Sequence, residues 1–200
     1  MKLPRSFYSG TDVVEIARNL IGKKLFTNID GHIVGGIIIE TEAYAGISDR
    51  ASHAYGSRRT KRTEIMYKKG GTAYVYLCYG MHALFNIVTN AEEIPEAVLI
   101  RGIILVQGKD IVEKRMPKTK IKNGLVSGPG RVAKALGIKV LHTGTDLLGN
   151  LIWLEQGISD IEPAKIIAKA RIGIDYAGPD ALLPYRFIVE VNSPGCQLIR

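Results

Sequence analysis

The chain has 200 residues, 46% of them hydrophobic and 23% charged, with a formal net charge of +8 and an isoelectric point near 9.5. That length suits one domain over residues 1–200 and is short for two, while the basic balance favours a polyanionic partner. Cys78 and Cys196 form no Cys-x-x-Cys pair, which argues against a zinc knuckle, an iron–sulfur cluster or a disulfide framework and fits a reducing compartment.

In chain order, MKLPRSFYSG carries basic residues without the apolar core of a secretory signal. Asp12–Leu20 has the period of an amphipathic helix, with Thr11 placed to cap it and Gly22 to stop it. The next run, KKLFTNIDGHIVGGIIIETEAY, predicts a hairpin turning at Asp30-Gly31. Residues 45–71 form a long polar excursion with a helical turn near Thr63–Lys68, and long excursions in compact domains tend to be functional. TAYVYLCY and HALFNIVTN predict a second hairpin about Gly80-Met81, followed by a buried strand EAVLIRGIILV. That strand is interrupted by Arg101, so it is no membrane span. Short helices are expected over Val112–Met116 and over Arg131–Leu136, the latter closed by Gly137. LLGNLIWLE and RFIVEVN read as further strands. Hairpins prevail over strand–helix alternation, which predicts α+β with a largely antiparallel sheet. A cytoplasmic protein is expected, nucleoid-associated if prokaryotic.

Several residue groups carry chemistry. Glu40, Glu42 and Tyr44 share one face of a strand by period two, and Ile37, Ile39, Thr41 and Ala43 the other. Paired carboxylates at this spacing suit glycosidic cleavage or merely a wet strand edge. Tyr74, Tyr76 and Cys78 share a face, while Tyr79 falls at the hairpin tip, either as a wedge between base pairs or folded back onto a core. His53 lies eleven residues after Glu42. The other histidines form no ligand spacing with it, so no metal is expected. Arg58, Arg59, Lys61 and Arg62 crowd a basic run beside these residues, which favours phosphate contact. The second basic run, Lys109 to Lys122, reads as a solvated face. SGPGRVAKALG matches G-x-G-x-x-A only weakly as a dinucleotide motif. It reads better as a helix start capped by Ser127, whose N-terminus can hold a DNA phosphate.

The ordered set ETEAY, His53, YVYLCYGMH with Asn86, AVLIRG, SGPG, RIGIDYAG and RFIVEV resembles the alkyladenine (3-methyladenine) DNA glycosylases, over nearly the whole chain. It departs at YKKGG after Met66 and at Gly102. The resemblance implies a single domain with a curved sheet, peripheral helices and a protruding β-hairpin. It implies base-excision repair of duplex DNA containing damaged purines, by a monofunctional enzyme. No cofactor is expected, and nothing in the sequence requires more than a monomer. By the same resemblance, Glu42 is the general base and Arg101 positions its water and a phosphate. Tyr44 and His53 stack on one face of the extruded base and Tyr76 on the other. Asn86 and Leu99 complete the base pocket, with Asn86 crowding the purine 2-position, and Tyr79 fills the gap in the duplex. Arg58, Arg59, Lys61, Arg62, Ser127, Gly128 and Gly130 meet the DNA backbone. Glu40 becomes a supporting residue, which sets aside the two-carboxylate scheme. The competing readings are a non-catalytic nucleic-acid-binding module and, on the SGPG segment, a nucleotide-dependent enzyme.

Overall fold

The computed structural model describes residues 1–10, 12–157 and 165–189. Thirteen elements of helix and strand follow one another. α1 (Arg5–Tyr8) and α2 (Val13–Asn19) precede β1 (Lys24–Ile29) and β2 (His32–Tyr44). Then come β3 (Thr72–Cys78), β4 (His82–Thr89), β5 (Glu96–Gln107), α3 (Lys109–Arg115) and β6 (Leu125–Ser127). α4 (Pro129–Leu136), β7 (Ile152–Glu155), β8 (Ile166–Lys169) and β9 (Arg186–Val189) complete the chain's described part. The strands form one nine-stranded sheet in the order β3-β4-β5-β2-β1-β7, with β6 on β5 and β9 between β2 and β8. Every pairing between these strands is antiparallel. The expected α+β class with an antiparallel, curled sheet is what the chain adopts.

Two long strands make the spine. β2 and β5 pair along their length, and each changes partner on its outer edge part-way along. β2 holds β1 through Lys24↔Ile37 and then β9 through Glu40↔Ile188. β5 holds β4 through Leu99 and then β6 from Gly102. Register shifts interrupt the β2–β5 ladder on both sides of Glu40, leaving Ile39 and Arg101 without opposite numbers. Such bulges bend a strand and re-aim its side chains. They also break the strict alternation expected for β2: Ile38 and Ile39 both enter the main core, while Ile37 is buried outside it.

Local chemistry explains the punctuation. Asp30 and Gly31 both take positive φ, 56° and 75°, so the first hairpin closes with Ile29 opposite His32, as a two-residue turn of this kind requires. Thr11, expected to cap α2, lies outside the described residues; the Asp12 carboxylate accepts from the Val14 and Glu15 amides at 2.8 and 3.4 Å. Ser127 is not the cap of α4. Its backbone is committed to β6 opposite Gly102, and Gly128 stands at the N-cap without a side-chain hydrogen bond. Pro129 opens the helix and Gly137 closes it with φ 74°. Since the three-residue β6 runs antiparallel to β5, no βαβ frame surrounds the glycines and the dinucleotide reading fails.

Leu25, Ile38, Phe85, Ile87, Ile100 and Leu136 lie in one main core, each contributing about 1.5–3 kcal/mol of burial. The excursion from residue 45 to 71 carries three 3-10 turns, at Gly46–Ser48, Tyr55–Ser57 and Glu64–Tyr67. Its YKKGG end is dictated by close packing: a β-carbon on Gly70 would come within 2.4 Å of the Tyr8 carbonyl oxygen. The expected closing strand is described only to Val189; the remainder of RFIVEVN, the NSPG segment and Cys196 lie outside the described residues. Among the described residues no helix is long and apolar enough to cross a membrane.

Candidate functional site

The antiparallel register lays out the floor of a site. Arg186, Glu42, Leu99, Asn86 and Tyr74 are successive cross-strand partners on β9, β2, β5, β4 and β3. Such partners project from the same face of a sheet. Over this row opens a cavity of about 430 Å³, within the usual range for ligand pockets of roughly 300–1,000 Å³. Tyr44, His53, Tyr76, Tyr79, Asn86, Leu99 and Arg101 all line it, together with Arg62, Tyr74, Ile172 and Tyr176.

Glu42 sits one layer beneath. Its side chain is 0% exposed and does not line the cavity, yet its three donors do. Oε2 accepts from the Tyr44 hydroxyl at 3.0 Å and Arg101 Nη1 at 3.2 Å, and Oε1 from the Ile172 amide at 2.9 Å. Burial raises the Glu42 pKa above the ordinary carboxylate value, and Arg101, the Ile172 amide and Tyr44 oppose that rise. Arg101 is itself clamped, its Nε donating to Glu40 Oε1 at 3.0 Å. Glu40 Oε1 also accepts from Arg186 Nη1 at 3.0 Å, so Glu40 braces the arginine and does not face the cavity as a second acid.

The aromatic wall differs from the expected slot. His53 and Tyr76 are neighbours, ring centroids 4.7 Å apart and planes at 76°, and Tyr76 tilts against Tyr74 at 5.4 Å. They form one wall and not two faces across a gap, because His53 Nδ1 is tied to the Tyr74 hydroxyl at 2.8 Å. On the other side, His53 Nε2 meets Arg62 Nη2 at 3.4 Å. A guanidinium has no lone pair to offer, so Nε2 accepts and the ring proton is assigned to Nδ1. Burial, then Arg62 and Arg58, lowers the His53 pKa to about 4, which keeps the ring neutral at neutral pH. Asn86 is anchored by Nδ2 on the Tyr74 and Leu84 carbonyls.

The expected phosphate-binding residues divide. Arg62 lies over the Tyr76 ring at 4.6 Å, inside the cavity. Arg59 folds back onto Glu64 at 2.8 Å and Glu93 at 3.1 Å and covers the Tyr67 ring, so its charge is already matched. Arg58 and Lys61 are exposed. The Gly128 amide donates to the Arg101 carbonyl at 2.8 Å, coupling the SGPG segment to the site. Pro129 lines the cavity, whereas Gly130 packs behind it on His82. Tyr79 stands at the hairpin tip, 88% exposed with φ 50°; it caps no core.

A sequence model of the family described as methylpurine-DNA glycosylase (MPG) matches residues 6–193. The chain belongs to that family. It is 45% identical over 191 residues to a Chlamydia felis protein named "Putative 3-methyladenine DNA glycosylase", spanning 95% of this chain and 97% of that one. Proteins of the same name from Bacillus cereus and Oceanobacillus iheyensis are 42% and 43% identical over 200 and 190 residues. They cover 95% of this chain and 96% and 93% of their own. The resemblance drawn from ETEAY onward is thus borne out at the level of the methylpurine-DNA glycosylase family.

Sequence reasoning missed one element of this glycosylase-family site. The segment after β8 brings Ile172 onto Glu42 and Tyr176 to the cavity rim. It is held by Arg171, whose Nη2 donates to Asp49 Oδ1 at 2.8 Å and whose Nη1 donates to the Ala43 carbonyl at 2.8 Å. Both members of the Arg171–Asp49 pair are out of solvent. RIGIDYAG entered the family resemblance, but nothing in its spacing tells which residue it covers. Among the described residues no cluster of His, Cys, Asp and Glu is suited to a metal.

Proposed function

We propose that this protein is a DNA glycosylase of base-excision repair, hydrolysing the N-glycosidic bond of an extruded alkylated or deaminated purine to leave an abasic site. The substrate class is that of 3-methyladenine, hypoxanthine and ethenoadenine. One observation carries the reading: a buried carboxylate whose three donors all line an aromatic cavity beside an exposed hairpin-tip tyrosine. A phosphate-binding surface alone has no use for an acid placed there.

The chemistry follows from these groups. An alkylated purine is a good leaving group, so the C1′–N bond breaks with its electron pair going to the base. The sugar becomes oxocarbenium-like, and a nearby carboxylate stabilises that cation. Water bonds to C1′ and passes its proton to Glu42, a general base. Oε1 has a lone pair beyond the one that Ile172 uses; the acid is closed off in the free protein, so the water reaches it as the nucleotide enters, oriented by Arg101. Extrusion costs a few kcal/mol and least at damaged pairs; Tyr79 entering the vacated stack and the base settling among Tyr44, His53 and Tyr76 offset it. Asn86 crowds a 2-amino group, and Leu99 forms an apolar floor. Arg58, Lys61 and the Ser127–Gly130 segment, from the end of β6 into α4, hold the backbone.

The direct test is a base-release assay on duplexes carrying hypoxanthine or a methylated purine. Free base is expected, with strand breakage only after alkali. Duplex binding without release from any lesion would leave a binding module in place of an enzyme.

A further inference from the structure

A second groove, about 370 Å³, lies next to the aromatic cavity across the start of α4, with Met81, His82 and Ala83 of the β3–β4 hairpin in its wall. We infer that this groove is a second DNA-binding surface, holding phosphates of the duplex arm beyond the hairpin tip; the inference rests on the glycosylase reading above.

The groove is walled by Met81 and His82 of the hairpin, by Arg115, and by Lys134 and Lys139 on and after α4. Asp30, at the β1–β2 turn, is the one acid against those three cations and His82. Lys134 and Lys139 are exposed, and among the described residues neither ammonium forms an ion pair with a carboxylate. Arg115 is fixed in place: Nη1 donates to the Ala135 carbonyl at 2.9 Å, and its guanidinium lies where a β-carbon on Gly137 would be, 2.7 Å away.

Position supplies the second argument. Pro129 lines the aromatic cavity and its neighbour Gly130 lines the groove, so the start of α4 separates the two. A β-carbon at Gly130 would approach His82 to 3.1 Å, which shows how closely helix and hairpin meet there. Tyr79 and Met81 project from that hairpin, 88% and 73% exposed. A duplex with Tyr79 in its stack straddles the hairpin. One arm lies over the aromatic cavity and the other over the groove. Exposed cations on that side meet the polyanion without any base-specific group, as phosphate contacts do.

The experiment compares salt dependence of duplex binding for the wild type, Lys134→Ala/Lys139→Ala, and Lys109→Ala/Lys118→Ala on the exposed face outside the groove. Losing two phosphate contacts should flatten the slope of log K against log salt by about 1.8, and weaken binding at 0.1 M salt at least tenfold. The rate of base release at saturating protein should stay at the wild-type value, and the melting temperature should match it. Equal slopes for the wild type and the groove variant, or equal flattening in both double variants, would overturn the inference. A wild type that binds duplex and releases no base would sink the glycosylase reading alone and leave the groove standing.

Discussion

Arg101 Nη1 reaches Glu42 Oε2 at 3.2 Å, with the Glu42 side chain wholly out of solvent. An acid so enclosed is costly unless its partners stay in place. Glu42→Gln should lower single-turnover base release by at least 10²-fold, the usual scale for a general base of roughly 10²–10⁴. Binding of lesion-containing duplex should change by only a few fold. Loss of binding with release intact would assign the base elsewhere.

The enclosure also sets the pH profile. Burial raises the Glu42 pKa, and in the proposed mechanism the carboxylate is the active form. The rate should therefore rise with pH through a single acid limb lying above the ordinary carboxylate value of about 4.3. His53, lowered to about 4, should add no limb near 6.5. A log-rate plot against pH from 4 to 8 reads both.

Stability should carry the mark of the same two groups, with opposite signs. Below about 6.5 the unfolded His53 takes up a proton that the folded ring refuses until about 4. Its contribution is intact above about 6.5 and lost as pH falls through that window, by up to about 1.4 kcal/mol per pH unit. The raised Glu42 pKa works the other way, favouring the fold at low pH and losing that contribution as pH rises through its folded value. His53→Gln isolates the first effect. Urea unfolding at pH 7, 6 and 5 should show the variant losing less stability than the wild type.

Tyr79 is left-handed and exposed, so the fold gains little from it. Glycine removes the left-handed penalty of roughly 1–2 kcal/mol and adds chain entropy of about 0.5–1 kcal/mol. Tyr79→Gly should therefore unfold within about 1 kcal/mol of the wild type. Capture of a lesion duplex should fall by the roughly 1–3 kcal/mol of a stacking aromatic, with undamaged duplex much less affected. Equal losses on both duplexes would argue against a wedge.

Asp49 and Arg171 tie the excursion after β2 to the segment that covers Glu42. Asp49→Asn leaves a buried guanidinium uncompensated and should cost about 3–5 kcal/mol. Base release, measured below the variant's melting temperature, should fall as the Ile172 amide loses its aim, while affinity for undamaged duplex holds.

Legibility in the sequence followed range. Period and turn chemistry placed both hairpins, the helix after SGPG and the shared face of Glu42 and Tyr44, since each is set by residues a few positions apart. Family resemblance gathered Tyr44, His53, Tyr76, Asn86 and Arg101 about one place, and the cavity does contain them. What stayed hidden depends on register and long-range closure. The bulge at Arg101 exists only against β2. Arg59 looked like its neighbours until Glu93 came alongside, and Arg62 became a cavity residue only once Tyr76 lay beneath it. Ser127 was drawn into β6 by Gly102, a partner that spacing within SGPG does not reveal.

The hydrogen bond from Ile172 to Glu42 closes a loop of 130 residues. A chain still emerging from the ribosome therefore possesses the acid long before the strand of backbone that aims it. On the proposed glycosylase reading, a product that stops short of Ile172 holds the acid without the amide that aims it, and should leave bases on their sugars.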